Sequence, residues 1–166
     1  MGRRAGPDRQ RRGRRRVRPG ATATARVRPL IAVDTNVLSE TSRKSPDPEV
    51  TGWLARNRRR LRMPAIVLAE LRYGVEKLPP SAQRIELERW LANLTAGFEG
   101  RILPFDAKAA EAHGRLRARL KLQGKPMDAP DSYLAAIALS LGIAVASRNL
   151  KHFQHAGVEL IDPWTG

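Results

Sequence analysis

The sequence contains no cysteine, and that single absence removes disulfide scaffolds, zinc-thiolate sites, iron–sulfur clusters and cysteine nucleophiles together. It suits a reducing, cytoplasmic setting. Histidine is scarce too: His113, His152 and His155 are the only three. Their spacing matches no metal-ligand motif, so they read as surface residues. No uninterrupted apolar run is long enough to span a bilayer, and no apolar segment follows the basic start, which argues against membrane insertion and secretion. A phosphate-cradling loop is missing because Gly124-Lys125 has no second glycine at the required spacing, and no G-x-S-x-G elbow occurs. No internal repeat is visible. Acids are outnumbered, 16 Asp and Glu against 31 Lys and Arg, which leaves a net charge of +15.

What is present fits one domain: 166 residues, 42% of them hydrophobic, can bury a core without disulfides or a structural metal. The charge is unevenly spread. Residues 1–28 hold eleven arginines against Asp8 alone, so +10 of the +15 lies there and the rest of the chain is only mildly basic. This Arg/Gly/Pro-rich stretch has almost nothing to bury and is expected to be a disordered tail. An RNA-attracting arm, an organelle-targeting presequence and a start codon placed too far upstream compete for it, with a passive tail or the misplaced start ranked first. A basic tail attracts something negative but does not identify it. The organised sequence begins at Pro29, and residues 29–166 read as the folded domain.

Ile31-Ala32-Val33 is an apolar, partly β-branched run suited to a buried strand, with Thr35, Asn36 and Ser39 in the turn that leaves it. Helices are expected over Glu49–Arg59, Ile66–Leu78 (stopped by Pro79-Pro80), Ser81–Phe98, the stretch from an Asp106 N-cap to Gln123, and Asp131–Leu141, which is apolar on nearly every side and ends at Gly142. Strands are expected at Leu61–Pro64, Arg101–Phe105, Ile143–Ala146 and Val158–Ile161. Gly124–Pro130 is a loop. Strands alternating with helices specify an α/β fold with a mainly parallel central sheet flanked by helices on both faces.

In such sheets ligands bind at the carboxyl ends of the strands. Asp34 follows the first strand there, Glu70 lies in the helix after the second, Asp131 begins the buried helix, and Ser147-Arg148-Asn149 follows the fourth strand. Each has an ordinary explanation as well: Asp34 and Asp131 as helix caps, Glu70 as a solvated helix residue, Asn149 as a turn residue. Asp106 is assigned to capping. Converging carboxylates without matching Lys or Arg raise one another's pKa unless a cation neutralises them. Oxygen-only donors favour Mg²⁺, with Mn²⁺ as a substitute, over zinc. Such ions serve phosphodiester hydrolysis. A phospho-acceptor domain would also place an Asp at a strand end, but no paired acids precede this strand and no lysine follows a late strand in a fitting place.

The ordered set Val33-Asp34-Thr35-Asn36-Val37-Leu38-Ser39-Glu40, Ala69-Glu70-Leu71-Arg72-Tyr73-Gly74, Gly100-Arg101-Ile102-Leu103-Pro104-Phe105-Asp106, Gly124-Lys125-Pro126-Met127 with Asp131 and Ala135-Ala136, Ser147-Arg148-Asn149, and Asp162-Pro163-Trp164 resembles PIN-domain ribonucleases. Within them it is most similar to the VapC toxins of type II toxin–antitoxin pairs, in their FitB-like branch. The resemblance covers residues 31–164. It implies a PIN-like fold, Mg²⁺-dependent cleavage of RNA leaving a 5′-phosphate, a homodimer, and inhibition by a VapB-like antitoxin. Asp34, Glu70 and Asp131 match the family's first three acids, with Asp34 and Asp131 as metal ligands and Glu70 as the group that orients or deprotonates water. The fourth acid is replaced by Asn149, with Ser147 in place of a Thr. A variant placement of that acid, before Phe153, is taken by His152. Asp128 is an extra acid expected to face solvent. Arg56, Arg58, Arg59, Arg60, Arg72 and Arg148 are expected to hold the RNA backbone. The competing expectation is a PIN-fold RNA-binding module that cuts weakly or not at all for want of the fourth acid.

Overall fold

A computed structural model describes residues 1–2 and 29–165; the expectation about the arginine tail falls on residues 3–28 and lies outside them. The chain runs β1 (Ile31–Val33), α1 (Thr35–Ser39), a 3-10 turn (Glu40–Ser42), α2 (Pro48–Asn57), β2 (Leu61–Pro64), α3 (Ala65–Glu76), α4 (Ala82–Gly97), β3 (Ile102–Leu103), α5 (Ala107–Leu122), α6 (Ala129–Leu141), β4 (Ala144–Ala146), α7 (Leu150–Phe153) and β5 (Leu160–Ile161). The sheet order is β3-β2-β1-β4-β5, and every pairing is parallel. The expected α/β class is therefore present.

Burial explains the short strands. Ile31, Ala32 and Val33 are fully buried, as are Val145 and Ala146, so the central strands are apolar on both faces, as a parallel sheet covered by helices requires. The register sets Ile31 beside Leu61 on one side and Ala144 on the other, with Val33 opposite Ala146. The chain winds outward from β1 through β2 to β3, then returns to lay β4 and β5 on the other side of β1. Right-handed crossovers on the two arms place their helices on opposite faces, and the order reverses between β1 and β4. A crevice opens there at the carboxyl ends of the strands.

Local signals stop and start the helices. Asp47 accepts from the Glu49 amide ahead of Pro48 at the first turn of α2, Ser81 accepts from the Arg84 amide in α4, and Asp106 accepts from the Ala109 amide in α5. Gly142 closes α6 in the left-handed region, φ 62°, where a side chain would be strained.

Four expectations need correction. The residues after β1 form α1 rather than a turn, because Asp34 caps them: its carboxylate accepts from the Thr35 amide. Helix α6 begins at Ala129, with Asp128 at its N-cap, so Asp131 sits inside the first turn and is not a cap. Strand β3 is confined to Ile102–Leu103 and β5 to Leu160–Ile161, since only those residues pair in register with Met63–Pro64 and Val145–Ala146. The short helix α7 after Asn149 was not expected. Among the described residues no helix is long and apolar enough to cross a membrane.

Candidate active site

Asp34 is the hub. It follows β1 directly and is only 6% exposed. Its backbone amide donates to the Ala146 carbonyl at 2.9 Å, prolonging the β1–β4 pairing by one step. One carboxylate oxygen accepts from the Thr35 amide at 2.6 Å; the other accepts from Asn36 Nδ2 at 2.7 Å and from Ser147 Oγ at 2.6 Å. Ser147, fully buried at the end of β4, thus closes the crevice from the opposite strand. Its hydroxyl oxygen also accepts from the Asn149 amide at 2.9 Å and from Asn36 Nδ2 at 3.2 Å, while Asn36 Oδ1 accepts from the Arg148 amide at 3.1 Å. The Thr-Asn pair after Asp34 and the Ser-Arg-Asn turn are one network spanning the switch point.

Glu70 enters from α3. Its Oε2 accepts from Thr35 Oγ1 at 2.5 Å, so the residue next to the hub also fixes the second acid. Asp131, from the first turn of α6, has Oδ2 at 2.8 Å from Nδ1 of His152 on α7. Burial pushes the Asp34 carboxyl above its ordinary range; hydrogen bonds from Ser147, Thr35 and Asn36 pull it back, and the charge of Asp131 pushes it further up. Burial likewise raises Glu70, opposed by the Thr35 hydroxyl and reinforced by the charges of Asp34 and Asp131. The three acids therefore share one region of negative potential. Among the described residues neither Asp34 nor Glu70 is paired with a Lys, Arg or His.

Whether these residues suit a divalent cation follows from that chemistry. Hard carboxylate oxygens, two of them with raised pKa and no cationic side chain as partner, match a hard ion in donor type and charge. Among the described residues no group of three or more His, Asp or Glu side chains is gathered closely enough to enclose an ion as it stands. The outer two acids are each held to a side: Glu70 by Thr35 and Asp131 by His152.

The remaining expected residues separate. Asn149 is exposed, and what ties it to the network is its backbone amide, not its side chain. Asp128 is exposed at the mouth of a cavity of about 330 Å³ lined by Lys125, Met127, Asp131, Lys151 and His152. Arg58, Arg59 and Arg60 immediately precede β2, at the amino end of the sheet and away from the acids. Arg72 lies against Glu76 on α3, 3.7 Å away. Of the arginines expected to hold RNA, Arg148 alone stands beside the crevice, directly after β4. Sequence reasoning singled out His152 at the variant position of the fourth acid but missed its pairing with Asp131, which depends on α7 folding back to α6, and it did not see Thr35 as the link between Asp34 and Glu70. The signal for Thr35 was available in its place directly after Asp34.

A model of the PIN domain matches residues 31–158. The VapC ribonuclease Y4jK of Sinorhizobium fredii is 36% identical over 137 residues, 81% of this chain and 98% of that protein. The crystal structure of FitAcB from Neisseria gonorrhoeae superposes with a TM-score of 0.77 at 36% identity, covering 81% of this chain and 99% of that one. VapBC-5 of Mycobacterium tuberculosis, described as a member of the VapBC family of toxin–antitoxin systems, superposes with a TM-score of 0.60 at 26% identity, covering 80% and 98%.

Proposed function

The chain belongs to the PIN-domain family, and from that membership and the acids at the carboxyl rim of its sheet we propose that it is a metal-dependent endoribonuclease, the toxin of a type II toxin–antitoxin pair. The observation that carries the reading is the Asp34–Ser147 bridge across the switch point, with Glu70 and Asp131 inside the same negative region and no basic side chain on Asp34 or Glu70. A fold-level likeness alone would not suffice, since one fold hosts many functions.

Asp34 and Asp131 would hold Mg²⁺, with Mn²⁺ as a substitute. When bound, the ion would supply positive charge that makes water more acidic and stabilises negative charge on a phosphodiester. Glu70 takes the proton of the attacking water at Oε1, the oxygen not occupied by Thr35. Thr35 keeps that carboxylate aimed. Ser147 and Asn36 hold Asp34 in one orientation, so the network supplies preorganisation rather than chemistry. Asn149 adds no charge; its exposed amide positions substrate or water at the rim. RNA is the substrate of this reading, and a VapB-like antitoxin and a second copy of the chain are its protein partners. Exposed Tyr73 on α3 and Ile85 on α4 supply apolar surface for them.

The test is RNA cleavage with and without EDTA. Asp34→Asn and Asp131→Asn should each cut activity by about three orders of magnitude, and the double variant should lose little more, because the acids act as a unit. Asn149→Asp adds a carboxylate where an amide only solvates, and should lower the Mg²⁺ concentration required. Absence of EDTA-sensitive cleavage in the parent protein, with RNA still bound, would replace the nuclease by an RNA-binding module.

A further inference from the structure

The terminal Asp162-Pro163-Trp164 motif has no place in the chemistry above, yet it lies beside it. Strands β4 and β5 are parallel neighbours with Ala146 opposite Ile161, and the Ser147 amide donates to the Ile161 carbonyl at 3.1 Å. The residues that follow each strand therefore leave the sheet side by side at its carboxyl rim. Asp162 makes the turn, its side chain accepting from the Trp164 amide at 2.9 Å; Pro163 is buried, and the indole packs partly against the core. On the β4 side the Arg148 amide is fixed to Asn36 Oδ1. The Arg148 guanidinium lies over the Trp164 ring, 5.3 Å from its centroid, inside the range of a cation–π contact. Among the described residues this guanidinium has no carboxylate partner. Its donors stay available while its plane is held.

We propose that Trp164 is a positioning residue that stacks Arg148 into a preformed clamp for an RNA backbone phosphate next to the scissile one. The clamp rests on the ribonuclease reading and names how that site holds its substrate. The chemistry favours a phosphate: the guanidinium fork binds phosphate oxygens through two parallel hydrogen bonds, and an indole beneath it costs no donor. Holding the side chain in advance reduces the rotamer entropy lost on binding. Arg148 also follows Ser147 directly, so the clamp is registered to Asp34 through one residue.

The experiment measures binding of a fluorescein-labelled single-stranded RNA 12-mer to the full chain in EDTA by anisotropy, across a salt series. Arg148→Gln should weaken binding about tenfold, the scale of a lost hydrogen bond to a charged group, and make the salt slope shallower by about 0.7, one phosphate contact on a single strand. Trp164→Leu should weaken it about two- to fivefold, the scale of an exposed cation–π contact. Trp164→Phe should restore most of that loss, and Arg148→Lys, which keeps the charge without the planar stack, should bind more weakly than the parent. The decisive comparison is Trp164→Leu in the Arg148→Gln background, where no further loss is expected. An equal loss in both backgrounds, or failure of Phe to rescue, shows that Trp164 only packs the fold and overturns the clamp while leaving the nuclease reading intact. A parent protein that neither binds nor cleaves RNA overturns both.

Discussion

Glu70 is under two opposing influences: burial and the neighbouring acids favour its protonated form, and the Thr35 hydroxyl favours the carboxylate, with the raising effects larger. A carboxyl whose folded pKa exceeds its unfolded value binds its proton more tightly in the native state. Its contribution to stability is therefore full below the ordinary glutamate range and is lost as pH rises through the folded pKa. Glu70→Gln keeps an oxygen that accepts from Thr35 and removes the ionisation. In EDTA the variant should melt higher than the parent at pH 7 to 8, the gap shrinking as pH falls toward about 4, while RNA cleavage is lost. Differential scanning fluorimetry across pH checks this, and a parent that melts higher at pH 8 would mean that the surroundings stabilise the Glu70 carboxylate rather than oppose it. The same residues show what a sequence can reveal. Asp34, Glu70 and Asp131 were legible because each is an acid placed by topology at the carboxyl ends of strands. The His152–Asp131 contact was not, because it joins two elements whose angle no local pattern encodes.

At the scale of elements, the longer helices α2 to α6 and the central strands were readable to within a few residues, and the misses share a cause. Helix α1 has five residues and α7 four, too few for a repeating apolar face; α1 starts on the Asp34 cap, and both bury apolar side chains in the core, Val37 and Leu38 from α1 and Phe153 from α7. The edge strands β3 and β5 are two residues each, shorter than the apolar runs that announced them, because pairing ends where the neighbouring strand ends. Capping was the reliable signal. Asp106 is the clean case: exposed, ahead of α5, and accepting from the Ala109 amide at 2.9 Å. Asp106→Ala should lower unfolding free energy by about 1 kcal/mol in urea denaturation and leave RNA cleavage at the parent rate. A loss of cleavage without a loss of stability would move Asp106 from the helix cap into the site.

Over the whole molecule, charge is unevenly placed. Asp34, Glu70 and Asp131 face one another at the carboxyl rim, while Arg58, Arg59 and Arg60 stand at the amino end of the sheet, and ten of the fifteen net positive charges belong to residues 1–28. A single-stranded polyanion approaching the acids must be attracted by cations that do not neutralise them. Arg148 at the rim supplies one such cation, and the tail is the largest remaining source. Removing residues 1–28, so that the chain begins at Pro29, should leave the melting temperature unchanged, because every core residue among those described, with Leu30 packed against them, stays in the shortened chain. The salt dependence of RNA binding should become shallower, since every phosphate of a single strand that the tail would have neutralised accounts for about 0.7 of the slope. Cleavage at saturating RNA should be retained, because such cations add affinity and encounter rate rather than chemistry. An unchanged slope would confine phosphate binding to the folded domain and leave Arg148 as its leading cation at the active rim; a drop in melting temperature would mean that the tail packs on the domain.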